Sequence, residues 1–258
     1  MSKDIQLWNK VLATAMQLPG VKVDRDAFLS EKLSFFCNES QIAQSLEKGP
    51  IGIISSEVLD LIAKDCIKHH TIYVTAISTA MGVPGGFALL GTVPGDVAQY
   101  FYHVFVLAQK LAYIYGYPDL CDEKGNFSES AADLLTVFVG VMGGVSVANK
   151  VIQELAEQCQ KEVLKRLPKY CLTKTLWYPI IKQIVKWITG KQLTKGGLAK
   201  SISKFVPIVG GLVSGGLTYA TFKPQSKRLM YKLKSTMLLA YENKKNEHVD
   251  QGEEVKDS

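Results

Sequence analysis

The sequence predicts an all-α protein, a multi-helix bundle of about 8–10 helices, because helical periodicity runs through most of the chain. Apolar residues recur at spacings of three and four in successive segments, and the first such set is Ile5, Trp8, Leu12 and Ala15. No segment keeps the strict alternation of apolar and polar residues that favours a strand. The 258 residues are 47% apolar and carry a formal net charge of +6, which excludes a disordered chain and provides for a substantial core.

Capping residues and helix breakers set the predicted boundaries. Asp24 stands where an N-cap is expected, and Asn38 with Gln41 has the pattern of a capping box. Glycine and proline end several segments. Helices are predicted at residues 4–18, from Asp24 onward, and at residues 38–49, 56–81, 94–115, 130–167, 173–189 and 225–241. We expect residues 1–241 to form one helical domain and residues 242–258 to form a polar, acidic, disordered tail.

The five cysteines favour neither a disulfide scaffold nor a structural zinc site. Their number is odd, they are widely scattered, and no Cys-x-x-Cys pair occurs. We therefore expect no metal and no cofactor. The first five residues, MSKDI, are polar and lack the pattern of a secretory signal, so a reducing cytosol is the expected compartment.

Charge divides the chain unevenly. Residues 1–162 contain 12 Lys and Arg against 18 Asp and Glu, whereas residues 163–241 contain 15 Lys and Arg and not one carboxylate. With no acidic residue nearby in sequence, the cations of this basic segment are expected to be solvated or to face an external anion. Nucleic acid is not the expected anion, because the basic residues alternate with apolar stretches and no nucleic-acid-binding motif is visible. An anionic membrane surface fits the pattern better.

Three uncharged segments are rich in glycine and apolar residues. They are residues 82–95, 134–148 and 205–222. Gly140 and Gly144, like Gly211 and Gly215, have the G-x-x-x-G spacing, which is predicted to place both glycines on one helix face for close helix packing. A straight membrane span needs about 20 apolar residues, which none of the three supplies without interruption. Core helices of a soluble bundle, shallow insertion into lipid and, least favoured, a true span all stay open.

Aromatic and basic residues occur together in the basic segment. Trp and Tyr have an apolar body and a polar edge, so beside lysine they suit the headgroup region of a bilayer. Residues 225–241 add a basic amphipathic helix, which can lie flat on an anionic bilayer or cover a core. The predicted membrane-contacting residues are Lys174, Trp177, Lys182, Lys186, Trp187, Lys204, Lys223, Lys227 and Arg228.

A polar stripe lies along the predicted helix 94–115. Its members, at helical spacing, are Asp96, Gln99, His103 and Lys110. They are candidate ligand-binding residues, with a solvent-facing stripe as the alternative. Asp96 and His103 are about 10 Å apart along the helix axis, too far for a direct dyad. The adjacent His69 and His70 point about 100° apart on a helix and cannot hold one ion by themselves. Phosphate-loop, zinc-protease and serine-hydrolase motifs are absent, so no catalytic residue is predicted.

Four stretches form a combination that composition alone does not explain. They are LPGVKVDRDAFL (18–29), TAMGVPGGFALLGTVPGDVAQYFYHVFVLAQKLAYIYGYPDL (79–120), GVMGGVSVAN (140–149) and KFVPIVGGLVSGGLTYATF (204–222). The most specific part is the P-x-D-x-x-Q-x-x-x-H arrangement from Pro94 to His103. Together they resemble the EcsC family of bacterial proteins, named after a component encoded beside an ABC transporter. The resemblance covers residues 15–240 and implies a helical protein linked to the cell membrane or to transporter function. It supplies no catalytic residue.

These observations predict a non-enzymatic, membrane-associated helical protein on the cytoplasmic side of the bacterial membrane. It would be peripheral to the inner face of the cell membrane or partly inserted in it, and the resemblance implies an accessory role beside an ABC transporter. The alternative is a soluble carrier that binds a lipid or another apolar ligand between its glycine-rich helices. A third, less favoured hypothesis is an enzyme that acts around Asp96, Gln99 and His103, which no nucleophile or metal-binding set accompanies.

Overall fold

A computed structural model describes residues 3–81, 95–128, 130–161, 174–189 and 211–254. Only the backbone is described for residues 3–4, 77–81, 95–96, 174–178, 187–189, 211–218 and 248–254. Every regular element within these ranges is a helix, which confirms the all-α prediction. The helices are α1 (Lys3–Met16), α2 (Arg25–Leu33), α3 (Glu39–Lys48), α4 (Ser56–Met81), α5 (Gly95–Ile114), α6 (Ala131–Gly143), α7 (Ser146–Lys161), α8 (Lys174–Thr189) and α9 (Gly211–Glu254).

Side-chain caps start α2 and α3 where the sequence predicts them. The Asp24 carboxylate accepts a hydrogen bond of 2.9 Å from the backbone N–H of Ala27. Asn38 and Gln41 form both hydrogen bonds of a capping box, at 2.9 and 3.1 Å. These bonds satisfy backbone groups that a helix start otherwise leaves without partners, so the two boundaries are fixed locally.

Helix α5 lies at the centre of the bundle. It packs against α1, α2, α4, α6 and α9. Most of its aromatic side chains are buried, and Phe101 and Phe105 have no exposed surface. Trp8 of α1 meets Phe101 edge to face at 5.1 Å and donates a 2.8 Å hydrogen bond to Thr136 of α6. A helix that is apolar on nearly all sides is expected in the core, and α5 occupies that place.

The predicted single helix over residues 130–167 is wrong, because the chain breaks into α6 and α7. Gly144 has φ of +82° and caps α6, and the N–H of Val145 donates to the carbonyl of Gly140 at 2.9 Å. A glycine adopts this left-handed conformation at little cost, and it ends the helix in spite of the valine-rich pattern around it.

The two glycines of the 140/144 pair therefore have different roles. Gly140 lies inside α6, where a Cβ atom would stand 3.0 Å from Ala148 of α7 and 3.0 Å from Ile184 of α8. The missing side chain lets three helices meet closely at this point. Gly144 is a turn residue and not a packing residue. The surroundings of Gly211 and Gly215 lie outside the described side chains.

Helix α9 is longer than the predicted helix 225–241, because it passes through Pro224 and runs on to Glu254. One row of its buried residues is spaced alternately by three and four, as in the seam of a coiled coil, and consists of Phe222, Ser226, Leu229, Leu233, Thr236 and Ala240. Met230 and Met237 are buried beside this row. They pack chiefly against α4 and α7. Residues 242–254 continue the helix where the sequence predicts a disordered tail, and Lys244 donates a hydrogen bond to the backbone carbonyl of Gln160 at the end of α7.

None of the helices in the described part of the chain is long and apolar enough to cross a bilayer.

Candidate functional site

Two buried histidines from neighbouring helices meet beside a cleft between α2, α4 and α5. His70 of α4 is 7% exposed and His103 of α5 is 8% exposed. Their Nδ1 atoms are 3.3 Å apart, and the ring planes make an angle of 68°. Tyr73, one turn after His70, lies parallel to the His103 ring at 6.3 Å between centroids. The position on two packed helices fixes the separation of the imidazoles.

Lys110 completes the polar cluster from the same helix as His103. Seven residues are about two helical turns, so Lys110 and His103 lie on one face of α5. The ammonium group of Lys110 is 3.3 Å from Nε2 of His70, and it stands 5.7 Å from the centre of the Phe28 ring of α2. The aliphatic stem of the lysine is half-buried, and the charged end faces the cleft.

The hydrogen bonds of this cluster assign the histidine tautomers. An ammonium group can only donate, so Nε2 of His70 accepts from Lys110 and the proton of His70 is on Nδ1. That proton is donated to Nδ1 of His103, which places the proton of His103 on Nε2. Nε2 of His103 is buried and has no hydrogen-bond partner among the described residues. The cluster is therefore short of an acceptor.

Burial and neighbouring cations keep both histidines neutral. Burial, Lys110, His103 and His69 together lower the pKa of His70 to about 3. Burial and Lys110 lower the pKa of His103 to about 4. A charged imidazole loses its hydration in this position and gains no anionic partner, so the neutral form is favoured at physiological pH.

The cleft beside the cluster has a volume of about 640 Å³. The ionised side chains on its wall mostly have partners: Lys32 pairs with Glu31 at 3.0 Å, Asp65 lies 3.2 Å from His69, Asp24 caps α2, and Lys22 donates to Asn126. Lys110 differs, since no carboxylate of the described residues lies within 4 Å of its ammonium group. It is a cation without a counter-ion at the edge of a cleft.

The thiol of Cys66 also lines the cleft. Burial raises its pKa to about 11, so it stays protonated at neutral pH and does not act as a nucleophile. Among the described residues, no three His, Cys, Asp or Glu side chains are grouped so that they could hold a metal ion.

The structure brings together two of the four residues of the predicted polar stripe. His103 and Lys110 line the cleft, whereas Gln99 is half-buried and does not. The side chain of Asp96 lies outside the described residues, although its backbone belongs to the first turn of α5. Sequence reasoning missed His70. The adjacency of His69 and His70 suggests only a joint ligand. In the structure the two side chains point about 100° apart, so His69 faces solvent and His70 faces the interior.

The predicted membrane-contacting residues fall into three groups. Lys182, Lys186 and Lys227 are exposed on α8 and α9. Lys223 donates to the hydroxyl of Tyr219 at 3.0 Å, and Arg228 donates to the carbonyl of Met142, where it supports the end of α6. The remaining positions lie outside the described side chains, and they are Lys174, Trp177, Trp187 and Lys204.

A further lysine of the basic segment has a partner that the sequence does not predict. Lys234 is 3.0 Å from the carboxylate of Asp60 on α4, and both side chains are about four-fifths buried. The hydroxyl of Tyr115 donates to the same carboxylate at 3.0 Å. The expectation that cations of this segment are solvated or face an external anion is therefore wrong for Lys234.

The outer side of α9, opposite its buried seam, carries both basic and apolar residues. Lys227, Tyr231, Ser235 and Leu239 follow one another at spacings of four and are exposed. Tyr231 is 55% exposed and Leu239 is 48% exposed. Large apolar and aromatic side chains that are exposed to solvent beside a lysine are typical of surfaces that bind an apolar or amphipathic partner.

No protein-family model, curated protein or solved structure matches this chain. The resemblance to the EcsC family thus stays a prediction. The alternative of a carrier for apolar ligands also stays a prediction. At Gly140 the space is filled by Ala148 and Ile184, and most of the other two glycine-rich segments lies outside the described side chains.

Proposed function

We propose that the protein attaches to the anionic cytoplasmic surface of a bacterial membrane through the exposed cations of α8 and α9 and the exposed tyrosines of α9. It acts there as a non-enzymatic helical protein, and, if the EcsC resemblance holds, as an accessory to an ABC transporter. Attachment is peripheral or shallow.

The observation that carries the proposal is the outer side of α9. Tyr231 and Leu239 offer apolar surface, and Lys227 offers a positive charge on the same side of the helix. A tyrosine ring at headgroup depth keeps its hydroxyl in water while its body enters the boundary of the acyl chains. Lys223 lies over the ring of Tyr219 at 5.2 Å, which joins a charge to a second exposed ring about two turns before Lys227.

The charge of the basic segment supports the same partner. Lys182 and Lys186 are one helical turn apart on the exposed side of α8, and neither has a carboxylate within 4 Å among the described residues. Each lysine close to an anionic bilayer contributes about 1 kcal/mol, so Lys182, Lys186 and Lys227 together give about 3 kcal/mol. Arg228 and Lys234 are excluded from this sum because they serve contacts inside the protein.

Vesicle flotation tests the proposal. The full chain is mixed with vesicles of phosphatidylcholine alone or of phosphatidylcholine with one-third phosphatidylglycerol, at low and at high salt. We expect flotation with the anionic vesicles at low salt, loss of most of it at about 0.5 M salt, where screening reduces the Debye length to a few ångströms, and little flotation with the neutral vesicles. A protein that stays at the bottom with anionic vesicles at low salt contradicts the proposal.

A further inference from the structure

The cluster of Lys110, His70 and His103 has more hydrogen-bond donors than acceptors. Lys110 brings three donor hydrogens and uses one on His70, while His103 holds a buried Nε2–H for which the described residues provide no acceptor. Buried polar groups in folded proteins are nearly always paired, so an unmatched donor marks a place where a partner is missing. Because Nε2 of His103 has almost no exposed surface, Lys110 is the donor of this cluster that an added acceptor in the cleft can reach.

The charges around the cleft define that partner further. Lys110 has one positive charge and only a neutral imidazole beside it, since both histidines have lowered pKa values. Among the other ionised side chains of the cleft, the three carboxylates of Asp24, Glu31 and Asp65 outnumber Lys22 and Lys32 by one, which disfavours a second negative charge on the partner. The site is therefore suited to a monoanion more than to a dianion such as phosphate.

Part of the cleft wall is apolar and aromatic. The ring of Phe28 lies next to the ammonium of Lys110, and Val106 and Tyr102 contribute further surface. A volume of about 640 Å³ is much larger than an inorganic ion and lies within the range of small-molecule sites. The partner has an organic body as well as a charge.

We propose that this cleft binds a small organic monocarboxylate, whose carboxylate pairs with Lys110 and whose apolar body lies against Phe28. The histidine pair holds Lys110 in place, because Nε2 of His70 accepts one of its hydrogens and leaves the others for the ligand. This site is separate from the outer side of α9, so it does not depend on membrane attachment.

Calorimetric titration without vesicles tests the proposal on the full chain. The probes are acetate, hexanoate and benzoate, each compared with its neutral amide, together with inorganic phosphate. We expect at least one carboxylate to bind at least about tenfold more tightly than its amide and more tightly than phosphate, because the charge-assisted hydrogen bond to Lys110 is lost in the amide. The proposal is overturned if no carboxylate binds better than its amide, or if phosphate binds best.

Matched variants locate the site. Lys110→Met is expected to weaken the best carboxylate at least about tenfold, and Lys110→Arg is expected to keep most of its affinity. Lys32→Met is the control, because Lys32 lines the same cleft but is paired with Glu31, and it is expected to change the affinity less than about threefold. Equal losses in Lys110→Met and Lys32→Met contradict the assignment. If Lys110→Met fails to fold, the ratio of carboxylate to amide affinity in the unchanged protein and the Lys110→Arg result decide the question.

Discussion

The cations of the basic segment differ in whether the protein itself provides a hydrogen-bond or ion-pair partner for them. Lys234 meets the Asp60 carboxylate, and Arg228 meets the Met142 carbonyl. Lys182, Lys186 and Lys227 are exposed and have no carboxylate within 4 Å among the described residues. All five belong to the one long segment without acidic residues, so the count of charges in a sequence does not state how many of them are available to a partner.

Two polar clusters on α4 sharpen this difference. The cluster around Asp60 combines a lysine with an oxygen anion and a tyrosine hydroxyl, so each charged group has a partner. The cluster around His70, ten residues later, combines a lysine with nitrogen acceptors and no carboxylate. The first is complete without a ligand, and the second is not. In the cluster that lacks an oxygen anion, the two histidines stay neutral, and Lys110 is the group that we propose to bind a ligand.

The largest expected effect is the loss of stability in mild acid caused by the buried histidines. The pKa of His70 is lowered to about 3 and that of His103 to about 4 from the ordinary value of 6.5, so the unfolded chain takes up protons below pH 6.5 that the folded protein does not. Stability therefore falls as the pH falls below 6.5, by up to about 1.4 kcal/mol per pH unit for each histidine. We expect urea unfolding to show a loss of about 3–5 kcal/mol between pH 6.5 and 4.5.

Two variants test the source of this acid dependence. His103→Leu is expected to reduce the slope of stability against pH by about half. Thr71→Val is the control, because Thr71 is buried next to His70 on α4 but has no titratable group in this pH range, and it is expected to leave the slope nearly unchanged. An identical slope in His103→Leu and in the unchanged protein contradicts the interpretation that the interior holds these histidines neutral.

The next largest effect concerns the cluster of Asp60, Lys234 and Tyr115, in which each charged group has a partner. Asp60→Asn leaves the largely buried Lys234 without its counter-ion, and we expect the free energy of unfolding to fall by about 2–3 kcal/mol. Asp65→Asn is the matched change on the same helix, where the carboxylate is about half exposed, and it is expected to cost less than about 0.5 kcal/mol. Urea unfolding at pH 7 measures both. If the two substitutions cost the same, the Asp60 cluster does not stabilise the fold as described.

The smallest effect separates two lysines on α9. Lys234→Met leaves Asp60 with the Tyr115 hydroxyl as its remaining partner, and we expect a loss of about 1–2 kcal/mol. Lys227→Met removes a solvated charge and is expected to change stability by less than about 0.5 kcal/mol. Thermal unfolding of the two variants in one buffer checks this order. A larger loss for Lys227→Met would reverse the assignment of inner and outer cations.

Local signals in the sequence predict part of this structure. The caps at Asp24 and Asn38 act within a few residues, and the spacing of seven between His103 and Lys110 places them on one helix face. The all-α class follows from the apolar periodicity. These features need no knowledge of which helices are neighbours.

Contacts between distant segments explain the rest. His70 meets His103 across two helices, and Lys234 meets Asp60 across 174 positions of the chain. The break at Gly144 depends on a left-handed backbone conformation that competes with a valine-rich helical pattern, and the length of α9 depends on a seam that docks on α4 and α7. Tertiary packing decides the two side-chain contacts and the length of α9, and a local glycine cap decides the break at Gly144. Apolar periodicity in one segment shows none of these.

One measurement tests the central claim of membrane attachment most directly: flotation with anionic vesicles at low salt for two charge-reversed proteins. The first carries Lys182→Glu, Lys186→Glu and Lys227→Glu on α8 and α9. The second carries Lys48→Glu, Lys64→Glu and Lys68→Glu on α3 and α4, where all three lysines are exposed, so both have the same net charge. We expect the first to lose at least about tenfold in membrane partitioning and the second less than about threefold. Equal partitioning of the two proteins contradicts the claim.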